Sequence, residues 1–150
     1  RRALTLEVDL RKHEVQRGQK FRATATLFNT GAGHAVPTGD PSHQVEIRFE
    51  MLQEDGQPAQ GAKPESYWLA RTVESEPPFS EKSDTRLEAA SSRVFDYAAD
   101  ISRKGKPGHY ILRVSVHWWA VAPKRAEAMG LKEADTHIEV LEQRIPFSVF

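Results

Sequence analysis

Across residues 44–52 every second position is apolar. Val45, Ile47, Phe49 and Met51 share one face of an extended chain, and Gln44, Glu46, Arg48 and Glu50 share the other. A strand with one buried and one wet face requires that alternation. Residues 4–10 repeat it, with Thr5, Glu7 and Asp9 between the apolar positions, and so do residues 20–28 through Phe21, Ala23, Ala25 and Leu27. The longest run is 110–121. Tyr110, Leu112, Val114, Val116 and Trp118 form its apolar face, and Arg113, Ser115, His117 and Trp119 lie opposite, where His117 is expected to be partly exposed. Residues 66–72 and 93–98 predict shorter strands. A final strand is predicted over 136–150, with a phase slip near Glu142-Gln143 that implies a bulge. Pro146, which has no N–H to give, is predicted at a sheet edge.

Turn chemistry separates these runs. Asp55-Gly56 is a hairpin signal, and KGKPG at 104–108 is a second strong turn. Two longer connections, 57–65 and 74–92, are rich in proline, serine and charge, and the second is long enough to cross between sheets. One segment, 123–132 (PKRAEAMGLK), reads as helix, with proline in the first turn and Gly130 as its stop. About seven short strands with one small helix predict an all-β, antiparallel sandwich of immunoglobulin-like type. The length of 150 residues suits one domain, 1–150, and no internal repeat interrupts it.

Composition narrows the function classes. Lysine plus arginine and aspartate plus glutamate both total 21, and the basic residues are scattered among acidic ones, so nothing in the balance predicts a nucleic-acid or membrane partner. The chain has no cysteine, which removes disulfides, thiol nucleophiles, blue-copper ligation and covalent c-type haem attachment within it. No run approaches the ~18 apolar residues of a membrane helix. The opening Arg1-Arg2-Ala3 reads as part of a longer polypeptide or a processed form.

The segment 29–40, NTGAGHAVPTGD, is more elaborate than a turn between strands needs to be. Gly31, Gly33 and Gly39 permit positive φ, while Pro37 and Pro41 fix their own φ and hold the preceding residues extended. Asn29, Thr38 and Asp40 can bond nearby backbone and close the loop. His34 would then project from a shaped platform, either capping a backbone carbonyl or meeting a cofactor, metal or partner.

This string resembles the N-x-G-x-G-H-x-x-P-T-G signature of a β-sandwich domain attached to secreted multihaem c-type cytochromes, in which it follows a region bearing several C-x-x-C-H motifs. Asp84-Thr85-Arg86, His117-Trp118-Trp119, Pro123 and Gly130-Leu131 are similar to the same family. The resemblance is sharp over 29–40 and diffuse elsewhere, and the absence of C-x-x-C-H here places any haem on another segment or subunit. It implies a periplasmic or extracellular electron-transfer setting. The partner would be a haem-bearing segment or subunit, met through Asn29, Gly33, His34, Pro37, Thr38, Gly39, Asp40 and Trp119. His34 would be a haem contact or axial ligand.

Other constellations are thin. His13, His34, His43, His109, His117 and His137 lack the short spacings of structural zinc sites, so no metal site is expected. Glu7, Asp9, Glu46 and Glu50 fall on predicted wet faces, where solvation is the ordinary role. Asp40 could orient His34, but no nucleophile accompanies them and no serine sits in an elbow context, so the chain is expected to be non-catalytic. Tyr67, Trp68, Trp118 and Trp119 support an alternative, a stand-alone extracellular module binding polysaccharide or a surface protein. Since neighbours on a strand face opposite ways, Trp119 is expected on an outer face, under the 123–132 helix or against a partner beside Arg113 and His117. Oligomeric assembly is compatible with either reading.

Overall fold

The computed structural model describes residues 3–74, 76–78 and 80–150. Arg1 and Arg2, and Ser75 and Phe79 of the long 74–92 connection, lie outside the described residues. Nine strands form two sheets among the described residues, in an all-β, immunoglobulin-like sandwich. One sheet has the order β1 (Leu4–Leu10), β3 (Lys20–Asn29), β7 (Ser91–Asp100). The other runs β2 (Glu14–Val15), β9 (His137–Val149), β8 (Gly108–Trp119), β4 (Gln44–Gln53), β5 (Glu65–Val73), β6 (Glu81–Asp84). All pairings are antiparallel except β2 with β9, which is parallel.

The alternating residues supply the core. Phe21, Ala23, Ala25 and Leu27 of β3 face Val45, Ile47, Phe49 and Met51 of β4 and Leu112, Val114 and Val116 of β8, all buried in one cluster. Each fully buried large side chain contributes about 1.5–3 kcal/mol. Rings tie the sheets together: Phe21 stacks on Phe147 with centroids 4.2 Å apart, and Phe49 on Tyr97 at 5.3 Å. The 74–92 connection crosses between sheets as its length required, since β6 joins the larger sheet and β7 the smaller.

Several expectations need correction. The strand predicted to reach Val121 ends at Trp119. The helix α1 covers Pro123–Ala128 rather than 123–132, and Glu133–Asp135 form a separate 3-10 turn. Gly130, at φ +71°, ends α1 in a Schellman motif: its N–H donates to Glu127 O and that of Leu131 to Ala126 O, each at 3.0 Å. The slip in β9 falls at Val140, not at Glu142-Gln143, because Val116 pairs with Leu141 while His117 pairs with Glu139. Pro146 does lie on a free stretch of edge, before Ser148 and Val149 pair with β2. The most consequential correction concerns the outer face of the larger sheet. His117 is 4% exposed, Glu46 4% and Trp119 1%, so none of them is solvated.

Candidate functional site

The 29–40 loop joins β3 to β4 at one end of the sandwich. Asn29, the last residue of β3, is buried, and its Nδ2 donates to the carbonyls of His34 (2.7 Å), Leu87 (3.0 Å) and Glu88 (3.2 Å). Val36 exchanges both backbone hydrogen bonds with Leu87, and Pro37 is buried behind it after a cis peptide bond. Gly31 N–H donates to Ala3 O, so the loop is also tied to the start of β1. Gly33 and Gly39 adopt positive φ; Gly31 does not. A Cβ at Gly39 would sit 3.3 Å from the His43 ring, a second reason for glycine there. Asp40 closes the loop by accepting the Ser42 N–H at 2.8 Å, which together with the Ser42 hydroxyl lowers its pKa. Thr38 takes part through its carbonyl, 2.9 Å from His43 Nδ1.

His34 is exposed at the loop tip. Its Nδ1 lies 2.9 Å from Ala35 O, so Nδ1 donates to that carbonyl and Nε2 is the nitrogen left for any other contact. An imidazole fixed in this tautomer by a carbonyl has the form that ligates a metal through Nε2. Asp40 is engaged with Ser42 and does not perform the orienting role considered for it.

Beside the loop lies an apolar groove of about 330 Å³ lined by Ala3, Leu4, Val36, Val45, Trp118 and the Ile138–Leu141 region of β9. Ile138 is 60% exposed and Val140 42%. The bulge at Val140 interrupts the alternation that turns Leu141 inward, and among the described residues no strand pairs with this stretch of β9 on its far side. Trp118 joins groove to loop, since His43 packs on its ring at 5.0 Å. Loop and groove therefore form one surface, which begins where β1 begins. Sequence reasoning missed Ile138 and Val140. The phase slip in β9 was the available signal, displaced by two residues.

The second cluster lies on the outer face of β4, β5 and β8. The Glu46 carboxylate accepts hydrogen bonds from Arg48 Nη2 (2.9 Å) and Nε (3.1 Å), Ser66 Oγ (2.5 Å) and Trp119 Nε1 (3.1 Å). Burial alone would raise its pKa, but the Arg48 and Ser66 bonds and the Arg48 charge outweigh burial and lower it. His117 Nε2 lies 2.9 Å from Ser115 Oγ, and its Nδ1 is buried with no hydrogen-bond partner among the described residues. Burial, followed by the Arg48 charge, pushes its pKa down to about 4. Trp119 stacks on His137 at 4.0 Å and meets Trp68 at 5.9 Å, with α1 bordering the same cleft.

The structure thus brings Asn29, Gly33, His34, Pro37, Thr38, Gly39 and Asp40 together and leaves Trp119 apart. Covered as it is, Trp119 offers no surface to a partner; the helix-covered alternative describes it. The aromatic platform is dispersed too. Tyr67 packs on Phe95 and donates to Asp96 O, and Trp68 and Trp118 border separate clefts on opposite faces of the sheet. Among the described residues no group of three or more His, Cys, Asp or Glu is placed to hold a metal, and no helix is long and apolar enough to cross a membrane.

No protein-family model and no curated protein sequence matches the chain. Solved structures do resemble it. A penta-heme cytochrome c552 from Thermochromatium tepidum matches with a TM-score of 0.68 at 18% identity, over 96% of this chain and 40% of the cytochrome. The CARDB domain of PF1109 from Pyrococcus furiosus matches at 0.53 and 14% identity, over 98% of this chain and 87% of that one. The C-terminal domain of wzt matches at 0.55 and 9% identity, over 99% and 74%. The chain spans about 40% of the length of the cytochrome it matches. At these identities the likeness is one of fold: an immunoglobulin-like β-sandwich that also forms part of a multihaem cytochrome.

Proposed function

We propose that this chain is a single non-catalytic sandwich domain that docks against a haem-bearing segment or subunit of an exported multihaem c-type cytochrome system. The observation that carries the reading is the joined surface of loop and groove. A rigid histidine platform stands beside exposed Ile138 and Val140, at the end where β1 begins. Exposed apolar surface rimmed by polar loops is the usual mark of an interaction site. The resemblance of NTGAGHAVPTG and the cytochrome fold neighbour both point to haem-bearing segments as its occupant.

Haem fits this end chemically. His34 Nε2 would be the axial ligand or edge contact, and the groove residues would shield the macrocycle from water. The haem would supply one-electron transfer. The chain's own residues would lower the local dielectric and hold the imidazole orientation, both of which tune a potential.

The test is isolation of the native assembly through this chain. The assembly should carry covalently bound haem, seen in its absorbance spectrum. His34→Ala should shift the haem spectrum or potential. An assembly without haem refutes the reading, and an unchanged spectrum in His34→Ala reduces the loop to architecture.

A further inference from the structure

At the opposite end of the sandwich, positive charge is gathered in a way the neutral composition hides. Residues 11–22 contain Arg11, Lys12, Arg17, Lys20 and Arg22 against the single acid Glu14, although the chain balances 21 with 21. Folding concentrates them further. Arg11, Lys12, Lys20 and Arg22 line one cleft of about 370 Å³, completed by Gln19 and the buried Val15. No carboxylate is among the described residues of its walls, although Asp9 and Asp96 border the adjoining cleft that Arg11 and Arg22 share. Lys20 reaches Asp100 only at 3.8 Å, and Arg11, Lys12 and Arg22 make no ion pair among the described residues. The side chain of Arg103 lies over neighbouring Gly18, adding a further cation.

The walls are held by backbone. Arg11 N–H donates to Arg22 O at 3.1 Å, Gln19 N–H to Gln16 O at 3.0 Å, and Val15 is paired with Val149. The backbone therefore brings the four basic residues to one cleft, where a bound anion would offset their mutual repulsion. Two guanidinium forks match tetrahedral oxyanions in bidentate fashion. Charge density favours phosphate over carboxylate, because one phosphate monoester carries about −1.5 to −2 at neutral pH. Two linked phosphates would then balance the four cations of the cleft.

We propose that this cleft binds a compact anion bearing two or more phosphates, either a soluble diphosphate or clustered phosphate headgroups of an anionic lipid surface. The site lies at the end away from the histidine loop and stands or falls independently of the haem reading.

The experiment is a calorimetric titration of the protein with inorganic pyrophosphate at low and raised salt. Binding with one-to-one stoichiometry, weakening steeply as salt rises, is expected. The double variant Arg11→Ala/Arg22→Ala should lose about tenfold or more in affinity with its melting curve unchanged, since both side chains are exposed. Lys124→Ala/Arg125→Ala, which removes two charges on α1, should bind as the parent does. Sedimentation with phosphatidylglycerol vesicles but not phosphatidylcholine, competed by pyrophosphate, assigns the headgroup source; pyrophosphate binding without vesicle binding assigns the soluble one. Absence of pyrophosphate binding overturns the proposal even if vesicles bind, because attraction would then be diffuse. Equal weakening in both double variants overturns it as well.

Discussion

The side-chain amide of Asn29 donates to the main-chain carbonyl of His34 at 2.7 Å, so the end of a core strand fixes the base of the loop tip. The same amide reaches Leu87 O and Glu88 O, which binds the loop to the segment before β7. Asn29→Ala removes every one of these bonds inside a buried site. A loss of about 2–3 kcal/mol is expected, read as a lower denaturant midpoint with an unchanged slope. Asn29→Asp should be no better, because a carboxylate has no proton to donate to three carbonyls.

His117 gives the fold a specific acid sensitivity. Its pKa is near 4 in the folded chain, against 6.5 for the free imidazole, and the first cause is burial. The fold favours the neutral ring, so stability is full above pH 6.5 and drains as pH falls through about 4. The loss should approach about 3 kcal/mol. Asp84, held near 2 by the Arg86 fork, and Glu142, held near 2 chiefly by Arg144, add their losses only below the ordinary carboxylate range. Urea unfolding at pH 7 and pH 5 therefore isolates His117, and His117→Asn should flatten the difference between them.

Gly130 ends α1 at φ +71°, and no heavy atom lies within 4 Å of where its Cβ would be. Gly130→Ala thus meets backbone strain alone, about 1–2 kcal/mol. The melting temperature should drop by about 2–4 °C per kcal/mol. Because α1 borders the cleft over Trp68 and Trp119, tryptophan emission should also move towards longer wavelength before global unfolding.

How much of this was legible in the sequence depends on whether neighbours along the chain carried the signal. Val45, Ile47, Phe49 and Met51 alternate, and all are buried. The two residues of β2 are too few for a period, and Glu81–Asp84 of β6 are all exposed and polar, with no apolar face to mark them as the strand that pairs with β5. Alternation placed His117, Trp119 and Glu46 on the outer face correctly, but could not show that this face is covered. The loop was legible because glycine, proline and asparagine each restrict the backbone locally. The groove was not, since Ala3, Val36 and Ile138 meet only through tertiary structure, and the same holds for the union of Arg11 with Arg22.

Ile138 and Val140 are exposed, so Ile138→Ser/Val140→Ser should leave the melting temperature within about 1 °C of the parent. On the docking proposal, the same variant should weaken association with a haem-bearing partner by about tenfold or more, because their apolar area would leave water only in such a complex. Co-purified haem per chain measures the loss.

Hydrogen exchange of the free chain against the chain in its native assembly tests the central claim most directly. The docking account predicts new protection at residues 30–40 and 137–141, with the far end at residues 11–22 unchanged. Unaltered exchange at the loop and groove, with protection arising elsewhere, would contradict it.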